Sequence, residues 1–383
     1  MRVTVAPDSL KESVSAPRAA RAIARGITRA VPDAEAVLVP MADGGEGTTE
    51  AIVEAAGGEY RTATVGDPLG RPIEAVWGLC DDGKTAVVEM ARASGLERLR
   101  PSERGPARTS THGTGELILA ALEAGVEKVI VGIGGSATVD GGAGMAVALG
   151  ATLLDAEGRP MEDCPGGRLR EVKAVDLSGL HPRVREVDIA VASDVTNPLL
   201  GPEGAARTYG PQKGATPEQV KMLEEGLSSL ADVIRRDLGT DVRGLPGAGA
   251  AGGLGAGLVA FLGARVEEGA RTVAQAVGLR ERMAGSDLVF TAEGKMDGQS
   301  VFGKATARVA SIAQEEGLPA IGLAGSLGPG YERLYGCGFS AIVPIVEGPT
   351  ELTQALEAGE SLLEAAAERV MRIWLAAAEK YDG

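Results

Sequence analysis

Short apolar runs alternate with amphipathic segments at both ends of this chain, an alternation typical of an α/β protein. Ile23, Ile27 and Val31 keep the spacing of one helix face, for example, and they follow an apolar run at 3–5. Because strands separated by helices usually lie parallel, we expect a parallel sheet. The elements predicted at the two chain ends are strands at 3–8, 36–39, 287–291, 320–324 and 341–345 and helices at 16–31, 48–56, 306–316 and 361–379.

The middle of the chain has a different pattern. Between residues 60 and 96, β-type runs flank turn signals at 66–70 and 81–83, which favours antiparallel hairpins. Further along, the pattern predicts strands at 128–133, 152–154 and 188–192 and helices at 115–124, 142–149 and 217–238. We therefore predict two α/β domains. The first is a Rossmann-like parallel domain built from both chain ends, 1–64 plus 286–383, and the second is an inserted mixed α/β domain, 65–285.

Charge and cysteine content narrow the function classes. The 383 residues include 53 acidic and 38 basic side chains, and the net charge of −15 repels nucleic acid and anionic membrane surfaces. No apolar run reaches the roughly 20 residues that span a bilayer. The three cysteines are far apart and the N-terminus lacks a signal-like segment, so we expect a cytoplasmic protein without a structural disulfide. Two histidines are too few for a multi-histidine metal site.

Two glycine-rich loops carry the most informative chemistry. The apolar run at 129–131 leads into a loop at 132–142, where glycines let the backbone approach an anion and the following helix turns its N-terminus toward the same place. The second loop, 43–47, contains two carboxylates among its glycines. Glycines suit phosphate and carboxylates suit a metal ion, so the pair of loops favours a phosphoryl-transfer enzyme.

The first loop also supports a different function. Gly132-x-Gly134-x-x-Ala137 follows a strand, precedes a helix and has Asp155 near the end of the next strand, which is the pattern of a dinucleotide site. This alternative is an NAD(P)-dependent dehydrogenase of a small hydroxy acid. Asp140 argues against it, because a carboxylate in the loop repels a pyrophosphate unless a cation lies between them. A non-catalytic sugar-acid-binding protein is a third possibility.

Polar side chains repeatedly follow the predicted strands. The carboxyl ends of strands are where open α/β sheets bind ligands, so such groups favour a site, although a single one is more often a helix cap. Lys304 belongs to an incomplete P-loop pattern in which Ala305 replaces the hydroxyl residue, and it remains a candidate phosphate contact. His112 precedes a predicted helix and is as plausibly a plain loop residue as a substrate contact. The groups that follow strands are Asp8, Ser9 and Lys11; Asp43 and Glu46; Asp194 and Asn197; and Glu293, Lys295 and Asp297.

At these residues the chain resembles the glycerate kinase family. The resemblance covers essentially the whole length and implies ATP- and Mg²⁺-dependent phosphorylation of D-glycerate, usually to 2-phosphoglycerate, on a two-domain α/β fold with a cleft between the domains. Glu12, where the family often has glycine, and Lys295, where it often has arginine, depart from the pattern. The similar blocks, in order, are 6–11, 42–48, 132–144, 194–199, 210–214, 247–257 and 293–300.

For the reaction that the resemblance implies, the residue chemistry leads us to predict the following roles. The predicted catalytic group is Asp194, as the base that accepts the hydroxyl proton, with Lys11 and Asp8. Glycerate is held by Ser9, Asn197, Lys213 and His112. The ATP contacts are Gly134, Gly135, Ser136, Glu293, Lys295 and Lys304. Mg²⁺ is held by Asp43, Glu46 and Asp140. The expected partner is the small-molecule substrate, with no nucleic acid and no membrane, and the protein is expected to be a monomer or homodimer.

Overall fold

The computed structural model describes residues 1–301 and 303–381. The chain folds into two compact units. Unit 1 comprises 1–43, 50–57 and 269–383, and unit 2 comprises 44–49 and 58–268. The predicted domain boundaries near 64 and 285 stay a prediction.

The elements of the described residues alternate along the chain as the apolar pattern indicates. The strands are β1 (Arg2–Val5), β2 (Glu35–Leu38), β3 (Glu59–Gly66), β4 (Pro72–Cys80), β5 (Thr85–Glu89), β6 (Lys128–Gly132), β7 (Thr152–Leu154), β8 (Ala174–Asp176), β9 (Asp188–Ala192), β10 (Arg265–Glu267), β11 (Leu288–Met296), β12 (Ala320–Leu327) and β13 (Phe339–Pro344). The helices are α1 (Ala16–Ala30), α2 (Thr48–Ala56), α3 (Ala91–Ser94), α4 (His112–Glu123), α5 (Ala143–Ala148), α6 (Ala205–Tyr209), α7 (Pro217–Leu238), α8 (Ala250–Leu262), α9 (Gly269–Ala276), α10 (Leu279–Met283), α11 (Ala305–Glu315), α12 (Leu352–Glu357) and α13 (Gly359–Tyr381).

Unit 1 is built on a parallel sheet of five strands in the order β13-β12-β11-β1-β2. Counted within the unit, that order is the flavodoxin-like 2-1-3-4-5 arrangement, which is doubly wound but differs from the strand order of dinucleotide-binding domains. Adjacent residues Leu288 and Val289 are both fully buried, so the sheet is covered on both faces. On one face, α1 and α13 pack together over Val3 and Val5.

Unit 2 is built on a mixed sheet in the order β10-β9-β6-β5-β4-β3. The four strands from β5 to β10 in that order are parallel, and β3 and β4 add an antiparallel hairpin, as predicted for residues 60–96. The core of this unit lies between the sheet and helices that include α4, α5 and α7. The glycine-rich run at 247–257 enters α8 through left-handed backbone at Ala251–Gly253.

Candidate active site

The carboxyl ends of β1 and β11 form the candidate site of unit 1. These neighbouring strands flank the point where the strand order reverses, which is where open α/β sheets bind ligands. A cavity of about 510 Å³ lies there. It brings together seven of the predicted site residues: Asp8, Ser9, Lys11, Asp43, Glu293, Lys295 and Lys304.

Asp8 lies in the segment after β1, and its carboxylate is buried in the cavity lining, with 8% of the residue's surface exposed. Its backbone N–H donates to the Ala292 carbonyl at 2.9 Å, which fixes the segment after β1 to β11. Burial, and then the negative charge of Asp43, raises the pKa of Asp8 to about 8, although the Ser9 N–H donates to the carboxylate at 2.6 Å and favours its charged form. A carboxyl group that titrates near neutral pH is suited to exchanging a proton with a substrate.

The second wall comes from β11 itself. Glu293 forms an ion pair with Lys304, the residue before α11, and also accepts a hydrogen bond from the Thr306 hydroxyl at 3.2 Å. Lys295 forms an ion pair with Asp297 at 3.1 Å. The prediction that Glu293 and Lys295 lie beyond the strand is wrong, because β11 continues to Met296 and pairs along this length with β12.

Two glycines let the backbones of β11 and β12 lie close together at the edge of this cavity. A Cβ added at Gly325 would lie 2.5 Å from the carbonyl oxygen of Gly294, a distance that no real side chain tolerates. Both glycines line the cavity, so part of its surface is bare backbone that a ligand can approach.

The turn after β1 contains a strained residue. Leu10 and Val14 close the turn with two backbone hydrogen bonds of 2.8 and 2.9 Å, and Glu12 within it has a φ of +64°. Residues other than glycine adopt that left-handed conformation at a cost in free energy. Glycine, the residue that the resemblance leads us to expect here, adopts this conformation without steric strain.

In unit 2, the two glycine-rich loops pack backbone against backbone. A Cβ at Gly132 would lie 2.9 Å from the carbonyl oxygen of Gly44, and one at Gly134 would lie 2.8 Å from the Cα of Gly45. Close packing therefore requires these glycines whether or not a ligand is bound. Gly135 is exposed with a φ of +74°, and phosphate binding by Gly134, Gly135 and Ser136 stays a prediction.

Lys213 is buried in the interior of unit 2, with 2% of its surface exposed. Its Nζ donates to the Ser136 Oγ at 2.5 Å and to the Thr138 carbonyl at 2.8 Å. Burial lowers the pKa of Lys213 to about 7, and the charge of Asp140 opposes that shift. The lysine thus holds the end of the glycine loop in place, while its predicted contact with the substrate remains untested.

Asp140 is also fully buried, and its oxygens accept hydrogen bonds from the surrounding backbone. The Thr111 N–H and hydroxyl donate at 2.7 and 2.8 Å, and the N–H groups of Gly142 and Gly144 donate at 3.2 and 3.3 Å. Burial keeps the pKa of Asp140 above its usual value, although these hydrogen bonds oppose the shift. Glu46, by contrast, is exposed. Among residues 1–301 and 303–381, no three His, Cys, Asp or Glu side chains are grouped to hold a metal ion.

The remaining predicted residues of unit 2 lie in separate surroundings. Asp194 is half-buried in the loop after β9. The Asn197 side chain donates to the Glu203 carbonyl at 2.7 Å and accepts a hydrogen bond from the Tyr209 hydroxyl at 2.8 Å, so it stabilises its own loop. His112 is the first residue of α4, 3.7 Å from the Glu116 carboxylate.

The sequence predictions did not include Glu89. This carboxylate ends β5, has 2% of its surface exposed and accepts a hydrogen bond from the Thr49 N–H at 2.6 Å. A sequence signal for Glu89 does exist, because a charged residue stands at the end of an otherwise apolar strand. Asp155, which supports the dinucleotide alternative, accepts hydrogen bonds at 2.9 Å from the N–H groups of Glu157 and Arg159 in its own turn.

The doubly wound sheet of unit 1 presents carboxylates and lysines at the edge where open α/β sheets bind ligands, an arrangement suited to an α/β enzyme of group transfer. Sequence comparison gives the family. A sequence model of the Glycerate kinase family matches residues 3–375. The chain belongs to the glycerate kinase family, and it is therefore an enzyme of the phosphotransferase class, as predicted.

Individual relatives agree with this assignment. A glycerate kinase of Halalkalibacterium halodurans is 49% identical over 96% of this chain and 97% of its own. A glycerate 2-kinase of Escherichia coli K12 is 48% identical over 93% of each chain. The crystal structure of a Salmonella typhimurium LT2 protein provisionally named glycerate kinase 2 superposes with a TM-score of 0.90 at 45% identity, covering 99% of both chains. These relatives do not favour the dehydrogenase alternative.

Among the described residues, no helix is both long enough and apolar enough to cross a membrane.

Proposed function

We propose that this protein transfers the terminal phosphoryl group of ATP to D-glycerate and forms 2-phosphoglycerate. The observation that carries the proposal is the cavity at the switch point of unit 1, where a buried carboxyl group lies among lysines. Phosphoryl transfer needs a group to accept the hydroxyl proton and cations to balance the charge of the transferred phosphoryl group. The relative named glycerate 2-kinase supports the position of the new phosphate.

In this proposal glycerate lies beside the segment after β1. Lys11 and Ser9 hold its carboxylate and hydroxyls, and Asp8 takes the proton of the reacting hydroxyl. Asp8 is preferred because it is buried and titrates near neutral pH. Asp194, the base proposed from the sequence, lies in unit 2 and is the alternative that mutation must decide. Lys295 and Lys304 would balance the phosphate charge.

Mg²⁺ fits this donor set as a metal that arrives with the nucleotide. In kinases it is held by one or two carboxylates together with substrate phosphates, which agrees with the lack of a three-ligand cluster among the described residues. Asp43 is the carboxylate of the cavity that would hold it, and Glu46 stays a predicted ligand. Bound there, the ion would neutralise charge on the phosphates. For Asp140 we propose a structural role instead, because its oxygens already accept four hydrogen bonds.

Location and assembly are part of the same proposal. All three cysteines are free thiols, as suits a reducing cytoplasm, and we place the enzyme there. A monomer or a homodimer is expected.

The deciding experiment is ADP release from Mg-ATP with D-glycerate, followed by phosphorus NMR of the product. A doublet from phosphate on the 2-hydroxyl is expected, because that phosphorus couples to one proton. A triplet would assign the product as 3-phosphoglycerate. If there is no turnover and ATP does not raise the melting temperature, the proposed kinase activity is wrong. The dehydrogenase alternative would then be tested by measuring whether NADH raises the melting temperature.

A further inference from the structure

The cavity of unit 1 has a second wall that the proposed chemistry does not use. Its polar wall comes from the segments around β1 and β11. A second part of the lining follows β13 and is apolar, with Ile345 buried and Leu352 72% exposed. Leu352, Ala355 and Leu356 follow the i, i+3, i+4 spacing of one face of α12, and all three line the cavity.

Glycerate has no chemical counterpart for this wall. The acid presents a carboxylate and two hydroxyls, and it has no apolar surface with which to cover leucine side chains. Of the two reactants in the proposed function, only the nucleotide has an extended flat ring system. Binding of such a ring system to an apolar surface is favourable, because it removes that surface from water.

The size of the cavity points to the same reactant. About 510 Å³ lies within the range that encloses a ligand of several rings, whereas a three-carbon acid would fill only a small part of it. The positive charges of the lining also suit a nucleotide. Lys295 and Lys304 line the cavity together with the apolar residues, so one extended molecule can contact both with its anionic and its ring-bearing ends.

We infer that the nucleoside of ATP binds against the apolar wall formed by Leu352, Ala355 and Leu356, with its phosphates directed to Lys295 and Lys304. The inference rests on the proposed function and adds a nucleotide-specificity site on α12, which the sequence analysis left without a role. It also places the nucleotide within unit 1, independently of the glycine loop at 134–136.

Two substitutions test this wall directly. Leu352→Asp places a charge on it at a largely exposed position, where folding should be unaffected, and Ala355→Phe adds a bulky ring to the same lining. Both should raise the KM for ATP, and the dissociation constant of a non-hydrolysable ATP analogue measured by calorimetry, by about tenfold or more. The KM for glycerate should stay near that of the wild type.

The chain offers a matched control. Ile373 on α13 is 71% exposed, nearly the same as Leu352, and it does not line the cavity, so Ile373→Asp should leave both constants unchanged. Wild-type affinity of the analogue for Leu352→Asp and Ala355→Phe overturns the inference, as does a selective rise in the KM for glycerate. If the wild type turns over but the analogue affinity is insensitive, only this inference fails. A wild type that neither binds the analogue nor releases ADP overturns the proposed function as well.

Discussion

The Nζ of Lys213 lies 2.5 Å from the Oγ of Ser136, so a buried lysine is joined to the loop that follows β6. A second bond, to the Thr138 carbonyl, means that both hydrogen-bond acceptors of the amine are neutral oxygens. The lowered pKa of Lys213 follows from this burial, and it makes the stability of the protein depend on pH in an unusual window.

We expect the free energy of unfolding of the wild type to rise relative to that of Lys213→Met as pH increases from about 7 toward 10. The pKa of Lys213 is about 7 in the folded protein and 10.5 when unperturbed, so between these values the unfolded chain binds more protons. Urea unfolding at several pH values measures the difference. Lys221→Met, at an exposed position of α7, is the control, and a parallel pH trend in both variants would contradict the account.

Proton transfer by Asp8 predicts a specific pH–rate profile. The value of kcat/KM for glycerate should fall on the acid side with an apparent pKa above that of an ordinary aspartate, because burial raises the pKa of Asp8 and the base acts in its deprotonated form. Asp8→Asn should lower kcat by about 10²-fold or more and leave nucleotide binding nearly normal. Asp194→Asn is the comparison. A large loss of kcat in Asp194→Asn alone would assign the base to Asp194.

The same carboxyl group should destabilise the protein at neutral pH. The pKa of Asp8 rises from 3.8 to about 8 on folding, so the folded state binds more protons between these values. The stabilising contribution is complete below about pH 4 and is lost as pH rises through 8. The wild type should therefore lose stability relative to Asp8→Asn between pH 5 and 8, as measured by urea unfolding. Asp33→Asn, at an exposed position, is the control; an unchanged difference across this range would refute the prediction.

Glu12→Gly should stabilise the protein by about 1 kcal/mol, because glycine adopts the φ of +64° without steric strain. Thermal unfolding measures the gain. Glu12→Gln removes the charge but keeps the strain, so it should leave the melting temperature unchanged. Equal gains in both variants would attribute the effect to charge.

Local patterns predicted the elements more fully than their arrangement. The helix at 217–238 and the strand at 188–192 were predicted with the bounds that α7 and β9 have, because apolar spacing and flanking turn residues determine both. β11 extends beyond the predicted end at residue 291. The apolar pattern did not reveal this extension, because the last residues of the strand include polar ones. Glu293 and Lys295 remain in the strand through pairing with β12, a partner that their own sequence does not reveal.

The candidate site was predictable where polar residues mark it. Asp8, Lys11 and Glu293 follow or end apolar runs, and the rule for open α/β sheets brings them together. The apolar wall has no such mark, because Leu352 and Leu356 look like ordinary core residues until the structure shows what they face. In the glycine run at 247–257, Gly252 is required by close packing, since a Cβ there would collide with the Thr138 carbonyl oxygen.

The pairing of β1 with β11 joins residues that are 285 positions apart, as the hydrogen bond from the Thr291 hydroxyl to the Ala6 carbonyl illustrates. During synthesis on the ribosome, β1 therefore cannot pair with β11 until most of the chain has been made. Residues 58–268 form a continuous segment with its own core and can fold in the meantime. The cavity beside Asp8 is consequently among the last parts of the molecule to form, and a chain released before β11 has no such cavity. Incomplete products of translation should therefore lack the enzyme's activity even when their longest segment is folded.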